Sequence, residues 1–410
     1  MKRAYALVAV AFVLSFIIHF PLASLPLLSV FKYSDVVGIL TSRVLKPTQT
    51  TWELNGTIPA VYIEMKTIDP CSTPYKDYFF EYPVISASVF YTATCLGGLA
   101  AKTLTSHGEA YLSYALLFFY VIISMILGVV FFVSVYAFKR LLELTGADAK
   151  LIYFFVLSPS VVVYTIYNFD IIAVALMLAG VYFFIRGKPW LTGLMFGLSI
   201  PVKVIPVAVA YTVFLFLLKR RNLKELASYT VGGIVGALPI LLHIIAGSSL
   251  SEIYRYVGSW YCENCLYVWV LPDLYSPIHR ILFLVLGSAT AVVLAVYVTK
   301  SSELSFYRAA LASVCAVTVF NYINPPQFFL YILPLALLVA KQVKTPEALL
   351  LITADWLNAA FIGVFMWETP FIAAYPGSIA QSMFFVRNAL LVLLLLLPAF
   401  QRRPTSSPPF

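Results

Sequence analysis

The chain has 410 residues, of which 61% are hydrophobic and 11% charged. A soluble domain carries about 25% charged residues, and a chain this apolar has too little polar surface to cover itself in water, so it reads as an all-α, polytopic helical membrane protein. The formal net charge of +9 comes from short basic loops rather than one basic face, so a nucleic-acid partner has no support and membrane lipids are the expected surroundings.

Lys2 and Arg3 precede a nearly unbroken apolar run from Ala4 to Val30. That run exceeds the roughly 7–15 residues of a signal-peptide core, which predicts an uncleaved signal-anchor helix. A long first outer loop follows, over 31–83. It opens with Tyr33-Ser34-Asp35 and closes with Ser72-Thr73-Pro74-Tyr75 and Phe80-Glu81-Tyr82-Pro83. Asp35 is thereby placed at the lipid–water boundary, where a carboxylate can act on a substrate that is itself half lipid. The sequon Asn55-Gly56-Thr57 lies in the same loop, compatible with an outer location.

Further apolar runs cover 84–101, 110–138, 151–167, 168–185, 190–202, 204–218, 229–247, 279–299, 307–323, 327–340, 346–365 and 381–400. With the first run this gives a bundle of about 12–13 transmembrane or re-entrant helices. Basic clusters at Lys139-Arg140 with Lys150, Arg186 with Lys188, Lys219-Arg220-Arg221 with Lys224, Lys300, Lys341 with Lys344, and Arg402-Arg403 belong on the cytoplasmic side by the positive-inside rule. Both termini then face the cytoplasm, which requires an even number of crossings. The segment 84–101 is the one expected not to cross, because Lys102 to Glu109 must stay outside if 139–150 is inside.

Two places break the apolar pattern. Tyr164 to Asp170 joins two runs without a basic residue, and it puts Asn168 and Asp170 in apolar surroundings. They serve either a turn, which Asn and Asp favour by bonding their own backbone, or a site. Only about 30 residues separate the clusters at 186–188 and 219–221, too few for two spans of roughly 20 each. Pro201 and Pro206 flank Lys203 there, and non-helical backbone at membrane depth needs a protein-lined or watery cavity. Lys203 is expected to face such a cavity, with a snorkelling lysine on a kinked helix as the alternative.

A second outer loop spans 248–278. It holds Arg255, the aromatic segment Trp260 to Trp269, and Cys262-Glu263-Asn264-Cys265, with Arg280 just beyond. The CxxC spacing, with Cys71 the other expected outer cysteine and no histidine close by in sequence, disfavours a four-ligand zinc site. It favours a disulfide within the pair or from Cys71 to one of the two. The aromatic segment suits either an interfacial anchor or an acceptor groove. Residues 1–403 read as a single domain and 404–410 as a short flexible tail.

The order of these pieces resembles the C-fold (GT-C) integral membrane glycosyltransferases. The pieces are Tyr33-Ser34-Asp35, Ser72 to Tyr75, Phe80 to Pro83, Ser158-Pro159 ahead of Asn168-Phe169-Asp170, Gly193 to Gly197 followed by Lys203 and Pro206, and Asn324-Pro325-Pro326-Gln327-Phe328 with Tyr331. The closest likeness is to the mannosyltransferase-like proteins of glycosyltransferase family 87 and to the enzyme that adds the first mannose to GPI precursors. The resemblance implies transfer of a hexose, mannose as the family's usual sugar, from a polyprenyl-phosphate donor to a lipid-linked or glycolipid acceptor, at the extracytoplasmic face of the cell membrane. It implies an essential acid at Asp35. Members of the GPI branch carry two acids there, suggesting a metal; Val36 and Val37 stand here instead, so no cofactor is expected and a divalent metal has no support.

The chemistry assigns the roles. The acceptor hydroxyl needs a base, for which Asp35 is the candidate, with Glu81 as second acid, acceptor-orienting group or helix cap. The departing phosphate needs cationic stabilisation, for which Lys203 is the candidate, with Arg255 or Arg280. Tyr82, Asn168, Asp170, Asn324 and Gln327 complete the expected substrate contacts. The rival classes are a lipid or glycolipid transporter or flippase, and a non-catalytic subunit of a glycosylation complex.

Overall fold

The computed structural model describes residues 2–21, 34–40, 44, 69–105, 108–245, 250–300, 306–342, 345–368 and 374–396. Tyr33, the sequon at Asn55 and the tail 404–410 lie outside these residues. Among the described residues there is no β-strand, and every apolar run carries helix. The protein is an all-α, polytopic helical membrane protein.

Helix α1 (Lys2–Ile18) covers the first part of the first run. The short α2 (Asp35–Ile39) is followed by the hairpin of α3 (Val84–Leu104) and the long α4 (Gly108–Thr145). The run at 151–167 splits at Pro159 into α5 (Leu151–Leu157) and α6 (Pro159–Tyr164). The Ser158 side chain caps α6 by accepting from Val161 N, a common way to satisfy an orphan helix-start donor. Then come α7 (Asp170–Ile185), α8 (Pro189–Ser199), α9 (Val207–Lys219), α10 (Leu223–Ile245), α11 (Leu250–Ser259), α12 (Ile278–Lys300), α13 (Phe306–Val319), α14 (Phe329–Ala340), α15 (Pro346–Trp367) and α16 (Ile379–Leu396).

Six of these helices are long and apolar enough to cross a membrane, and five shorter apolar helices lie among them. α12 shows why lipid is the surrounding medium: only 11% of its apolar window is buried in protein, and Leu284, Val285, Val292 and Val293 are all exposed. In water such a face would be a large unpartnered patch. α7 and α14, in contrast, are buried almost all round and form the centre of the bundle.

Among the described residues, the basic groups of 139–150, 186–188 and 219–221 and Lys341 gather at one end. Asp148 N donates to Lys341 O at 2.9 Å, and the Arg220 guanidinium lies 5.2 Å from the centre of the Phe184 ring. Phe184 packs tilted against Phe306, and Phe216 meets the same ring edge-to-face. The 16 residues of α7 then separate that end from Asn168 and Asp170 by about 24 Å at 1.5 Å per residue.

α3 is held differently from the other long helices. Cys71 is disulfide-bonded to Cys95 in its middle, and the Lys102 ammonium lies 3.8 Å from Asp69 near its end. Its start follows directly on Pro83. Both ends of α3 therefore meet the same loop. Length and composition would permit it to span; its partners tie it to residues 69–83. Of the two pairings left open for the CxxC cysteines, the one within the pair is found, Cys262 to Cys265; the pairing of Cys71 with either of them is corrected, its partner Cys95 lying inside the apolar run 84–101.

Glycines set the tightest helix contact. A Cβ on Gly193 would lie 1.9 Å from Tyr229 O, and one on Gly197 would lie 2.2 Å from Gly233 O. α8 and α10 thus approach backbone to backbone, the small-residue packing that apolar surroundings favour. This contact fixes the end of α8, from which Lys203 projects.

Candidate functional site

Four segments distant in sequence meet around Asn168 and Asp170, at the start of α7, at the end of the bundle opposite the basic clusters. The first is the start of α2. Ser34 is its N-cap and makes no side-chain cap bond, and Val36 N donates to Tyr167 O at 3.4 Å. His19, just past α1, sits edge-on to the Tyr167 ring at 5.7 Å. The end of the first helix and Asp35 thus converge on one tyrosine, although α1 ends at Ile18 rather than at 30 as the apolar run suggests.

Asp35 is half-buried, and its Oδ2 is the hub of the site. Asn168 Nδ2 donates to it at 2.7 Å, Gln327 Nε2 at 3.3 Å and the Tyr82 hydroxyl at 3.5 Å. Asn168 also donates to the Tyr82 oxygen at 2.9 Å, while its own Oδ1 accepts from Phe169 N at 2.6 Å. That last bond is the local turn chemistry expected of Asn. It leaves the amide nitrogen aimed at the carboxylate, so Asn168 serves turn and site together.

The segment 72–83 is folded to present Tyr82. Asp77 Oδ2 accepts from Thr73 N and Oγ1 at 2.6 and 2.9 Å. Tyr75, at a φ of +69°, donates its N–H to Tyr78 O at 2.8 Å, and its hydroxyl donates to Tyr82 O. Phe80 is fully buried among Tyr75, Tyr82, Phe90 and Phe169. Burial pushes the Tyr82 hydroxyl well above the ordinary tyrosine range, with Asp35 and Glu81 adding to the shift, so Tyr82 stays a neutral donor. Glu81 is half-buried beside it. α3 has Pro83 as N-cap and no acid in its first turn, with Glu81 two residues ahead of the cap.

Lys203 enters from the break after α8. The carbonyls that the break releases are taken up by the start of α3: Ile85 N donates to Pro201 O at 2.9 Å and Ser86 Oγ to Val202 O at 3.0 Å. The ammonium lies 4.4 Å from the centre of the Tyr82 ring and 5.9 Å from that of Phe328, and 3.6 Å from Asp170 Oδ2. The snorkelling alternative is thereby set aside. Asp170 is corrected as a substrate contact. It has no exposed surface, and its Oδ1 accepts from Tyr331 OH at 2.8 Å. It holds the lysine from beneath, whereas Lys203 keeps 13% of its side chain open.

The fourth segment is the 3₁₀ turn Pro326–Phe328. Besides Gln327 it brings Asn324, which is fully buried with no hydrogen-bond partner for either amide atom among the described residues. Gln327 Oε1 is likewise unpartnered. Native buried polar atoms are seldom left unsatisfied, and these three lie beside Asp35 through Gln327. Asn324 N donates to Glu263 O and Glu263 N to Tyr322 O, at 2.9 and 2.8 Å, which brings the second outer loop to the rim. Glu263 Oε2 accepts from Trp260 Nε1 at 2.8 Å. Burial raises its carboxyl to about 7; Asp35 raises it further and Lys203 opposes this.

The two arginines stand apart. Arg255 is exposed on α11 and in no ion pair among the described residues, so it is corrected as a contact of this site. Arg280 is half-buried; its guanidinium donates to Trp260 O at 3.4 Å and lies 5.9 Å from the centre of the Tyr322 ring. It braces the loop that carries Glu263 rather than touching Asp35 or Lys203. The aromatic segment divides: Trp260 packs on Tyr256 and Tyr261, while Trp269 is exposed against Phe385.

Behind the site runs a buried polar network absent from the sequence expectations. Asp355 Oδ1 accepts from Ser158 Oγ and Ser160 N. Asn358 donates to Ser160 Oγ and to Pro326 O, each at 2.9 Å, and Arg387 NH1 donates to Asn358 Oδ1 at 2.9 Å. Through Pro326 this network fixes the turn that aims Gln327 at Asp35. A signal was present: Asp355 and Arg387 are charges within apolar runs, which are costly in lipid. Glu263 and Tyr331 stood within the CxxC and the Asn324–Tyr331 motif, but neither was expected as a site residue.

Comparison with protein families and with curated protein sequences finds no match to this chain.

Proposed function

We propose that this protein transfers a hexose, mannose in the simplest case, from a polyprenyl-phosphate donor to a hydroxyl of a lipid-linked or glycolipid acceptor. The observation that carries the reading is the placing of a half-buried carboxylate, Asp35, and a partly open ammonium, Lys203, on one tyrosine at the end of an apolar bundle. A base and a phosphate partner have to flank one anomeric carbon.

In this reading the acceptor oxygen attacks that carbon while Asp35 takes its proton. The carbon–oxygen bond to the phosphate breaks, and the polyprenyl phosphate leaves with the electron pair beside Lys203. A single displacement inverts the anomeric configuration. Asn168, Gln327 and Tyr82 orient Asp35 through donors to one oxygen, and Asp170 with Tyr331 fixes Lys203. The unpartnered amides of Asn324 and Gln327 suit sugar hydroxyls. The basic clusters at the far end support an extracytoplasmic site, and the attachment of both ends of α3 to one loop supports a helix that does not cross.

The test is transfer of labelled mannose from polyprenyl-phosphate mannose in membranes carrying wild type or Asp35→Asn at matched levels. Transfer that depends on Asp35 is expected. Equal transfer by both, or lipid scrambling in liposomes without transfer, overturns the reading, and scrambling favours a flippase.

A further inference from the structure

We infer that Cys262, Cys265 and His279 form a binding site for a soft divalent cation of the Zn²⁺ type once the disulfide between the two cysteines is reduced. The sequence offers only a CxxC pair. The fold adds a histidine fourteen positions further on, brought back by the turn into α12. The two sulfurs and a ring nitrogen of His279 lie within 4.8 Å of one another, and all three residues are buried. On a tetrahedral zinc, ligand bonds of about 2.0–2.3 Å place neighbouring ligand atoms roughly 3.3–3.8 Å apart, so the two sulfurs have to part once their bond is broken, with the histidine nitrogen already within reach of both.

The histidine is set up as a ligand. It is 1% exposed. Its Nε2 lies 2.8 Å from Asp273 O, a partner that can only accept, so this nitrogen carries the proton. Nδ1 then bears the lone pair, and it has no hydrogen-bond partner among the described residues. A ring N–H tied to a backbone carbonyl is the usual outer partner of a metal-binding histidine. The Tyr267 ring lies nearly parallel to the imidazole at 6.1 Å. Leu274, Val268 and Ala374 close the small core around the cysteines, and Cys262 N donates to Leu274 O at 2.8 Å. Three protein ligands leave a fourth position for water.

The chemistry balances with a dithiol as the reductant. The Cys262–Cys265 bond takes two electrons and two protons and becomes two thiols, and the dithiol becomes a disulfide. Cation binding then releases two protons as both thiols become thiolates. Glu263 lies between the two cysteines, so the state of this centre sets the anchor of the strand that reaches the rim of the candidate site.

The experiment uses the full chain in detergent with Co²⁺ as the probe. Protein is reduced with a dithiol and desalted without oxygen before cobalt is added. One equivalent of Co²⁺ with thiolate-to-cobalt charge-transfer absorption is expected in reduced wild type and none in oxidised protein, with Zn²⁺ displacing the cobalt. His279→Asn should weaken binding at least tenfold, and C262S/C265S should abolish it. If the double variant does not fold, His279→Asn carries the test with the CxxC intact. The inference is overturned by no absorption after reduction, by a Cys262–Cys265 bond that resists the dithiol, by wild-type affinity in His279→Asn, or by equal absorption in C262S/C265S.

Discussion

The ion pair under the candidate site gives the sharpest test of how the bundle is built. Asp170 is sealed and Lys203 is 13% exposed, with 3.6 Å between the charges. Water cannot reach Asp170, and it reaches only a small part of Lys203, if the partner is removed. Asp170→Asn keeps the shape and an acceptor for Tyr331 but leaves a buried ammonium uncompensated; Lys203→Met keeps the stem but leaves a buried carboxylate. Breaking a buried pair from one side costs about 3–5 kcal/mol. Removing both charges removes the penalty, so the double variant should recover most of that loss, with a coupling energy at or above about 3 kcal/mol, the top of the usual range for contacting residues. The assay is denaturant unfolding in mixed micelles for wild type, both single variants and the double. Losses below about 1 kcal/mol in the single variants would put the pair on the scale of a solvated surface bridge and refute the reasoning, as would strict additivity. Measured alongside, sugar transfer should stay absent in the double variant although stability returns, because the phosphate partner is gone.

Asp35→Asn should retain donor binding and lower transfer by about a hundred- to ten-thousandfold, the usual loss for a general base, read with labelled donor at matched expression. Asn168→Ala removes two of the bonds that orient Asp35 and Tyr82, and kcat should fall about a hundredfold with KM little changed, measured by initial rates over a donor series. Gly193→Val sets a side chain against Tyr229 O and should cost about 3 kcal/mol or more in detergent unfolding, beyond the upper range of ordinary overpacking, because the obstacle is backbone. C71S/C95S opens a bond spanning 24 residues and should lower stability by about 3 kcal/mol, seen by the same unfolding measurement with and without reductant.

The helices were legible because what makes them is local. Each apolar run in the sequence carries helix, and ends were marked by the residues that cannot continue it: Pro159 splits α5 from α6, and Pro201 and Pro206 bracket the break that frees Lys203. The all-α membrane class follows from composition alone, since a chain with 11% charged residues has to bury its backbone polarity in helices wherever lipid surrounds it. Asp35, Asn168 and Lys203 stood out as polar groups at the edges of apolar runs, while Tyr82 and Gln327 entered only with the motifs of the resemblance.

Which atoms meet was decided only by the tertiary structure, because the contacts join positions far apart in the chain. That Asn168 and Gln327 share one oxygen of Asp35 depends on how α6, α7 and the 3₁₀ turn pack. Asp170 was expected at the surface of the site and lies beneath it, since a carboxylate at a helix start looks the same in sequence whether it faces a ligand or a lysine. Cys95 sits in an apolar run and gives no sign of its partner. His279 is remote from the CxxC until the chain turns back on itself. A sequence records the cost of placing a charge in an apolar run; the partner that offsets that cost is set by three-dimensional packing.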